Sequence, residues 1–264
     1  MDLPELKPYD YFEALNYRYQ ITRQFPFMKA CTIGKSVMGR EIAAFSLGNA
    51  EEYALFVGGI HGNAHFTSTY LYAFFKELCN AYLEDGVIEG LKVKKALGGR
   101  GIVVVPCLNP DGCEIVSNGK VALGNMRFSA LRLARKDFSA FKFNARGADI
   151  EKVFGASPFS EPESTALINL CKNTKIRHLV SFDKGENRLI MPEHCTLPER
   201  SSRMAEIMLT VSDLRLDSQS SFGLCHWFCE EYFKPSFKIC LNADDDYKSQ
   251  YKAIRELLML SAIM

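Results

Sequence analysis

Apolar residues follow two patterns along the chain. Tyr53 to Ile60 and Gly101 to Val105 are near-continuous apolar runs, as expected for strands covered on both faces. Ile176 to Phe182, Arg188 to Met191 and Ser236 to Leu241 read as further strands. Between them the spacing lengthens to three or four. From Phe66 to Leu83, the residues Leu71, Phe74, Phe75, Leu78 and Tyr82 recur at helical intervals. Pro198 to Val211 and Gly223 to Phe233 read as helices, and Ile254, Leu257, Leu258 and Ile263 mark a last amphipathic helix capped by Asp245 or Asp246. Ser160 and Glu163 have the spacing of a capping box opening a helix that runs to Asn173. Cys31 to Leu47 reads as a hairpin about Met38-Gly39-Arg40, and Asn109-Pro110-Asp111-Gly112 as a turn. Asn118 to Phe154 lacks periodicity and is long for a loop, which marks it as a segment that lines a site or is mobile.

Strands alternating with helices predict an α/β fold with a mixed, mostly parallel sheet, and the absence of repeats or linkers predicts one domain over residues 1–264. In such folds sites gather at the carboxyl ends of the strands, where His61 falls.

Composition narrows the function classes. The chain has 264 residues, 47% hydrophobic content and a formal net charge of +1, enough for a large core and without a field that would favour nucleic acid. The one basic group, Arg127, Arg132, Arg135 and Lys136, reads as solvated surface. Nine cysteines without regular spacing, and a polar, interrupted start at Met1-Asp2-Leu3-Pro4, predict a cytoplasmic protein without a disulfide framework. Cys225 and Cys229 read as buried small hydrophobes. No apolar run reaches the ~20 residues that a bilayer requires, so no membrane partner is expected.

The segments IGKSVMGREI, FVGGIHGNAH, VVVPCLNPDG, NARGADIEKVF and SEPESTAL follow one another in the order found in the carboxypeptidase A-like zinc peptidases. SFDKGENRLI and GLCHWFCEEYFKPSFKICL continue the match to Leu241. The chain resembles that family, in particular its bacterial cell-wall peptidase branch. The resemblance implies a single α/β domain with helices on both faces of a central mixed sheet. It also implies a zinc held by two histidines and a glutamate, a separate glutamate base, and an arginine clamp for the substrate carboxylate.

The residues at those positions depart from that plan. In the H-G-x-E motif the histidine is His61, but Ala64 stands at the glutamate ligand. Asp183 falls at the second histidine of S-x-H-S-x-G-E, in a segment one residue shorter than the motif. The clamp motif G-V-D-x-N-R-N reads Gly147 to Val153, so Glu151 and Lys152, with Arg146 nearby, are what remains for substrate binding. Lysine offers a point charge in place of a two-pronged donor. Cys240 occupies the general base, and a thiol of ordinary pKa ~8.5 replaces a carboxylate poorly. The family aspartate that orients the first histidine matches Asp149, which implies a His61–Asp149 hydrogen bond.

Three readings follow. The first is a pseudoenzyme without cofactor that keeps a cleft for peptide or muropeptide. The second is an active zinc metallocarboxypeptidase with relocated ligands His61, His65 and Asp183. The third is a cysteine-dependent hydrolase in which His61, oriented by Asp183 or Asp149, activates Cys240. The donor count leans against an enzyme, since two of three metal ligands, the base and the clamp change together.

Overall fold

The computed structural model describes residues 6, 9–119, 122, 137–154, 161–193, 198–219, 223–243 and 246–264. The basic group at 127–136, Ser160 and Asp245 lie outside them.

Eight strands form one sheet: β1 (Lys29–Lys35), β2 (Glu41–Leu47), β3 (Tyr53–Val57), β6 (Gly101–Val105), β7 (Ile176–Lys184), β8 (Arg188–Pro192), β9 (Arg215–Gln219) and β10 (Ser236–Leu241). Their spatial order is β1-β2-β6-β3-β7-β10-β8-β9. The four central strands β6, β3, β7 and β10 are mutually parallel, so their carboxyl ends share one edge. Antiparallel pairings join β1 to β2, β2 to β6 and β10 to β8. A separate hairpin pairs β4 (Val87–Ile88) with β5 (Leu91–Lys92).

Helices cover both faces. On one face α1 (Tyr11–Gln24), α2 (Phe66–Leu83) and α9 (Tyr247–Ile263) pack a core that includes Tyr17, Phe56, Phe74, Phe182 and Leu257. On the other, α6 (Pro162–Asn173) and α8 (Leu224–Tyr232) pack against Leu55, Val57, Val103 and Leu179. Alternate residues of β3, Leu55 and Phe56, thus enter different cores, which explains why the run has no polar position. The remaining helices are α3 (Val93–Leu97), α4 (Pro110–Asn118), α5 (Ile150–Val153) and α7 (Pro198–Thr210).

Several expectations need correction. Asn109 to Gly112 is not a free-standing turn but the start of α4: Asn109 is its N-cap, accepting from the Gly112 amide, with Pro110 at the first helical position. The helix to Asn173 is capped at Glu161 without a side-chain hydrogen bond, and Glu163 instead accepts from the Val37 amide and the Asn144 side chain. The edge strand β9 and helix α1 carry no strong apolar period. α1 buries only Tyr17 and Ile21 and is secured at its start by a capping box between Asp10 and Glu13. Asp246, one of the two expected caps, accepts from the Ser249 amide at the start of α9.

The hairpin turn is tied to α4. Ser36 Oγ and Arg40 Nη1 donate to Asp111 Oδ1, and the Met38 amide donates to Asp111 Oδ2. Seven described cysteines are free, while Cys229 is disulfide-bonded, a covalent tie the sequence reading did not foresee.

Candidate site at the carboxyl ends of the central strands

β3 leaves the sheet through Gly58 and Gly59, and His61 precedes a single 3₁₀ turn, Gly62–Ala64. Two glycines make this corner. Gly59 has φ of +55°, a left-handed conformation that side chains disfavour. At Gly62 a Cβ would lie 2.5 Å from the Gly112 carbonyl oxygen and 2.7 Å from that of Phe141, so only glycine lets the corner sit against α4. Asn109 braces the same corner, its side-chain amide donating to the carbonyls of Ile60 and Phe143.

The ring of His61 lies between two carboxylates. Asp183, at the end of β7, places its oxygens 3.0 and 2.9 Å from Nδ1. Asp149, just before α5, places Oδ1 3.0 Å from Nε2, and its Oδ2 takes Lys142 Nζ at 3.0 Å. Burial opposes a charge on the ring, yet the hydrogen bonds to Asp149 and Asp183 outweigh it and raise the His61 pKa from 6.5 to about 9. Burial likewise opposes ionisation of Asp149, but His61 and Lys142 hold its pKa well below the usual carboxylate range. At neutral pH His61 therefore carries a proton on each ring nitrogen, one facing Asp183 and the other Asp149.

This arrangement does not fit a zinc ion. Zinc needs donors converging at ~2.0–2.2 Å, each offering a lone pair. Both ring nitrogens of His61 are already hydrogen-bonded to carboxylates, and these stand on opposite sides of the ring and do not converge with it on one point. Ala64, fully buried, supplies no donor. Among the described residues, no group of three His, Cys, Asp or Glu side chains is placed to hold a metal ion.

The other expected site residues disperse. His65 caps the start of α2 and lines a cavity with Ser68, Cys107 and Cys113, and it does not join His61 and Asp183 as a ligand set. Cys240 pairs in register with Asp183 on the neighbouring strand, but burial and the Asp183 charge push its thiol up to about 12. Both His61 nitrogens are engaged by carboxylates, so neither is left to activate that thiol. Glu151 turns inward and pairs with Lys238 Nζ at 2.5 Å, both side chains about nine-tenths buried. Lys152 is exposed, and Arg146 reaches Glu161 at 3.7 Å.

Sequence reasoning missed Lys142 and Lys238. Lys142 sits in a segment with no motif and offered no signal. Lys238 did: a lysine inside the buried run Ser236 to Leu241 requires a buried counter-charge, here Glu151.

Comparison with known proteins gives a consistent lineage. Residues 15–214 match the sequence profile of the family described as zinc carboxypeptidase. The uncharacterized protein YqgT of Bacillus subtilis (strain 168) is 29% identical over 248 residues, covering 81% of this chain. The gamma-D-glutamyl-L-diamino acid endopeptidase 1 of Lysinibacillus sphaericus is 24% identical over 261 residues, covering 89% of this chain. This chain spans 65% and 66%, respectively, of the lengths of those two proteins. The crystal structure of thrombin activatable fibrinolysis inhibitor superposes with a TM-score of 0.73 at 14% identity, covering 97% of this chain and 73% of that one. Among the described residues no helix is long and apolar enough to cross a membrane.

Proposed function

The chain belongs to the zinc carboxypeptidase family, and from that premise we propose that it is a pseudoenzyme, a peptidase fold without zinc hydrolysis that binds peptide or muropeptide in the former substrate cleft. One observation carries the reading. Asp183 meets His61 at the nitrogen opposite the one held by Asp149, so both ring nitrogens are engaged by carboxylates on opposite sides and, among the described residues, no third donor converges with them. Where the family chemistry needs a dication and a base, this centre holds a self-compensated set of charges.

The ligand class rests on kinship with the gamma-D-glutamyl-L-diamino acid endopeptidase, and a peptide containing that linkage is the ligand to try first. Arg146 and Lys152, both exposed, are the side chains we assign to its carboxylates. Glu151 is committed to Lys238 and is not among them. We treat residues 1–264 as one unit and assign it no protein partner. Seven free thiols among the described residues support a reducing, cytoplasmic setting. The Cys229 disulfide argues against it, and thiol counting on protein extracted under alkylating conditions decides.

The test is elemental analysis of protein purified without chelator, a peptidase panel, and calorimetry with a γ-D-glutamyl-diamino acid peptide. We expect zinc far below one per chain, no turnover, and heat of binding that diminishes in Arg146→Ala and Lys152→Ala. Stoichiometric zinc accompanied by turnover overturns the pseudoenzyme, and absent binding heat removes the ligand assignment alone.

A further inference from the structure

A cavity lies between α1, α2 and the loop that leads from β6 into α4. Tyr11, His65, Ser68, Tyr72, Cys107 and Cys113 are among its lining residues. Two features set it apart. The Cys107 thiol donates to the Cys113 sulfur at 3.5 Å, and no disulfide joins them. Ser68 Oγ, in a residue only 4% exposed, has no hydrogen-bond partner among the described residues. A hydrogen-bonded pair of thiols beside an unsatisfied buried hydroxyl is a site rather than core filling.

We propose that Cys107 and Cys113 are a thiol–disulfide exchange site that takes a low-molecular-weight disulfide as its co-substrate. Cys107, partly buried and the more accessible of the two, is the attacking sulfur, and Cys113, 6% exposed, is the resolving one. The contact with Cys107, then burial, hold the Cys113 thiol protonated well above its ordinary range, which fits that order. In the first step the Cys107 thiolate attacks one sulfur of the reagent. The reagent's S–S bond breaks, a mixed disulfide forms, and one small thiolate leaves. In the second, Cys113 attacks the Cys107 sulfur and expels the other small thiolate, which takes up the Cys113 proton. The two protein sulfurs are oxidised and the two reagent sulfurs reduced, with no other reactant. Closing the bond needs the sulfurs to approach from 3.5 Å to ~2.05 Å, a local movement of the loop.

The bond would span Asn109, whose side chain holds the carbonyl of Ile60, the residue before His61. Leu108 and Asn109 also donate backbone hydrogen bonds to Gly58 and Gly59. Oxidation therefore fastens the loop that braces the His61 corner.

The experiment treats the full chain with oxidised glutathione, then follows differential alkylation and peptide mapping. The exposed Cys31 is an internal control for reagent competence. With Cys31 modified, we expect loss of both the Cys107 and Cys113 thiols, a linked peptide joining them, and recovery of both on reduction. Cys113→Ser should retain a glutathione adduct on Cys107, and Cys107→Ser should leave Cys113 unmodified. If wild-type Cys107 and Cys113 stay alkylatable while Cys31 is modified, or if Cys107 stops at the mixed disulfide, the proposal is wrong. The wild-type reading requires no variant to fold.

Discussion

At the scale of single residues, the chemistry turns on what faces each nitrogen of His61. Both positions are carboxylates, so the ring holds its proton far above the range of a free histidine. Asp183→Asn keeps the shape and removes the charge on Nδ1. The His61 pKa, followed by ring-proton NMR, should fall from about 9 toward 6.5. A value unmoved by the substitution would show that Asp183 is not what holds the proton. His61→Ala should be costly for a different reason, since it leaves two carboxylates facing each other without their shared cation. Removing one partner of a buried pair costs about 3–5 kcal/mol, read as a lower urea midpoint at unchanged slope. Ala64 and Cys240 could be seen as departures from the motif because residue identity alone shows them. Asp183 on Nδ1 was not, because the shortened segment after Ser181 leaves register ambiguous until strand pairing sets Asp183 opposite Cys240.

At the scale of elements, β10 and α5 are joined by Lys238 and Glu151. Glu151 Oε2 has no hydrogen-bond partner among the described residues, so the carboxylate depends on that lysine. Lys238→Ala should cost roughly 3–5 kcal/mol, and the double variant Lys238→Met, Glu151→Leu should recover most of it. A double-mutant cycle in denaturant checks this; additivity of the two single changes would mean the pair is not coupled. The corner between β3 and α2 makes a second case. Gly62→Ala pushes a Cβ into two backbone carbonyls and should destabilise by about 1–3 kcal/mol without deleting any contact, measurable as a fall in Tm. The buried strands and the Phe66–Leu83 helix could be read from periodicity because burial on both faces, or on one helical stripe, writes itself into residue order. Helix α1 could not, because its stability comes from a capping box and from Tyr17 donating to the Tyr72 carbonyl, 55 residues away.

At the scale of the whole molecule, the charged centre makes stability depend on pH in a direction that can be worked out. His61 binds its proton more tightly folded than unfolded, so its contribution is complete below about pH 6.5 and fades as pH rises through about 9. Asp149 works the other way: its contribution is present above its ordinary value of 3.8 and is lost only in strong acid. The pair thus supports the fold most fully between about pH 4 and 6.5, and roughly 3 kcal/mol at most should be lost by pH 10. Chemical denaturation across pH, compared with His61→Ala, measures the loss. Equal slopes for both proteins would remove His61 as its source. The amino-acid sequence by itself determined the sheet-and-helix architecture, the family, and the departures of Ala64 and Cys240 from the family motifs, because apolar period and motif order are local properties of the chain. Only the tertiary structure decided that Asp183 closes the histidine ring, that Glu151 belongs to Lys238, and that Cys107 touches Cys113. Each of those contacts joins separate segments, and their partners are chosen by where parallel strands end and how tightly glycine corners turn.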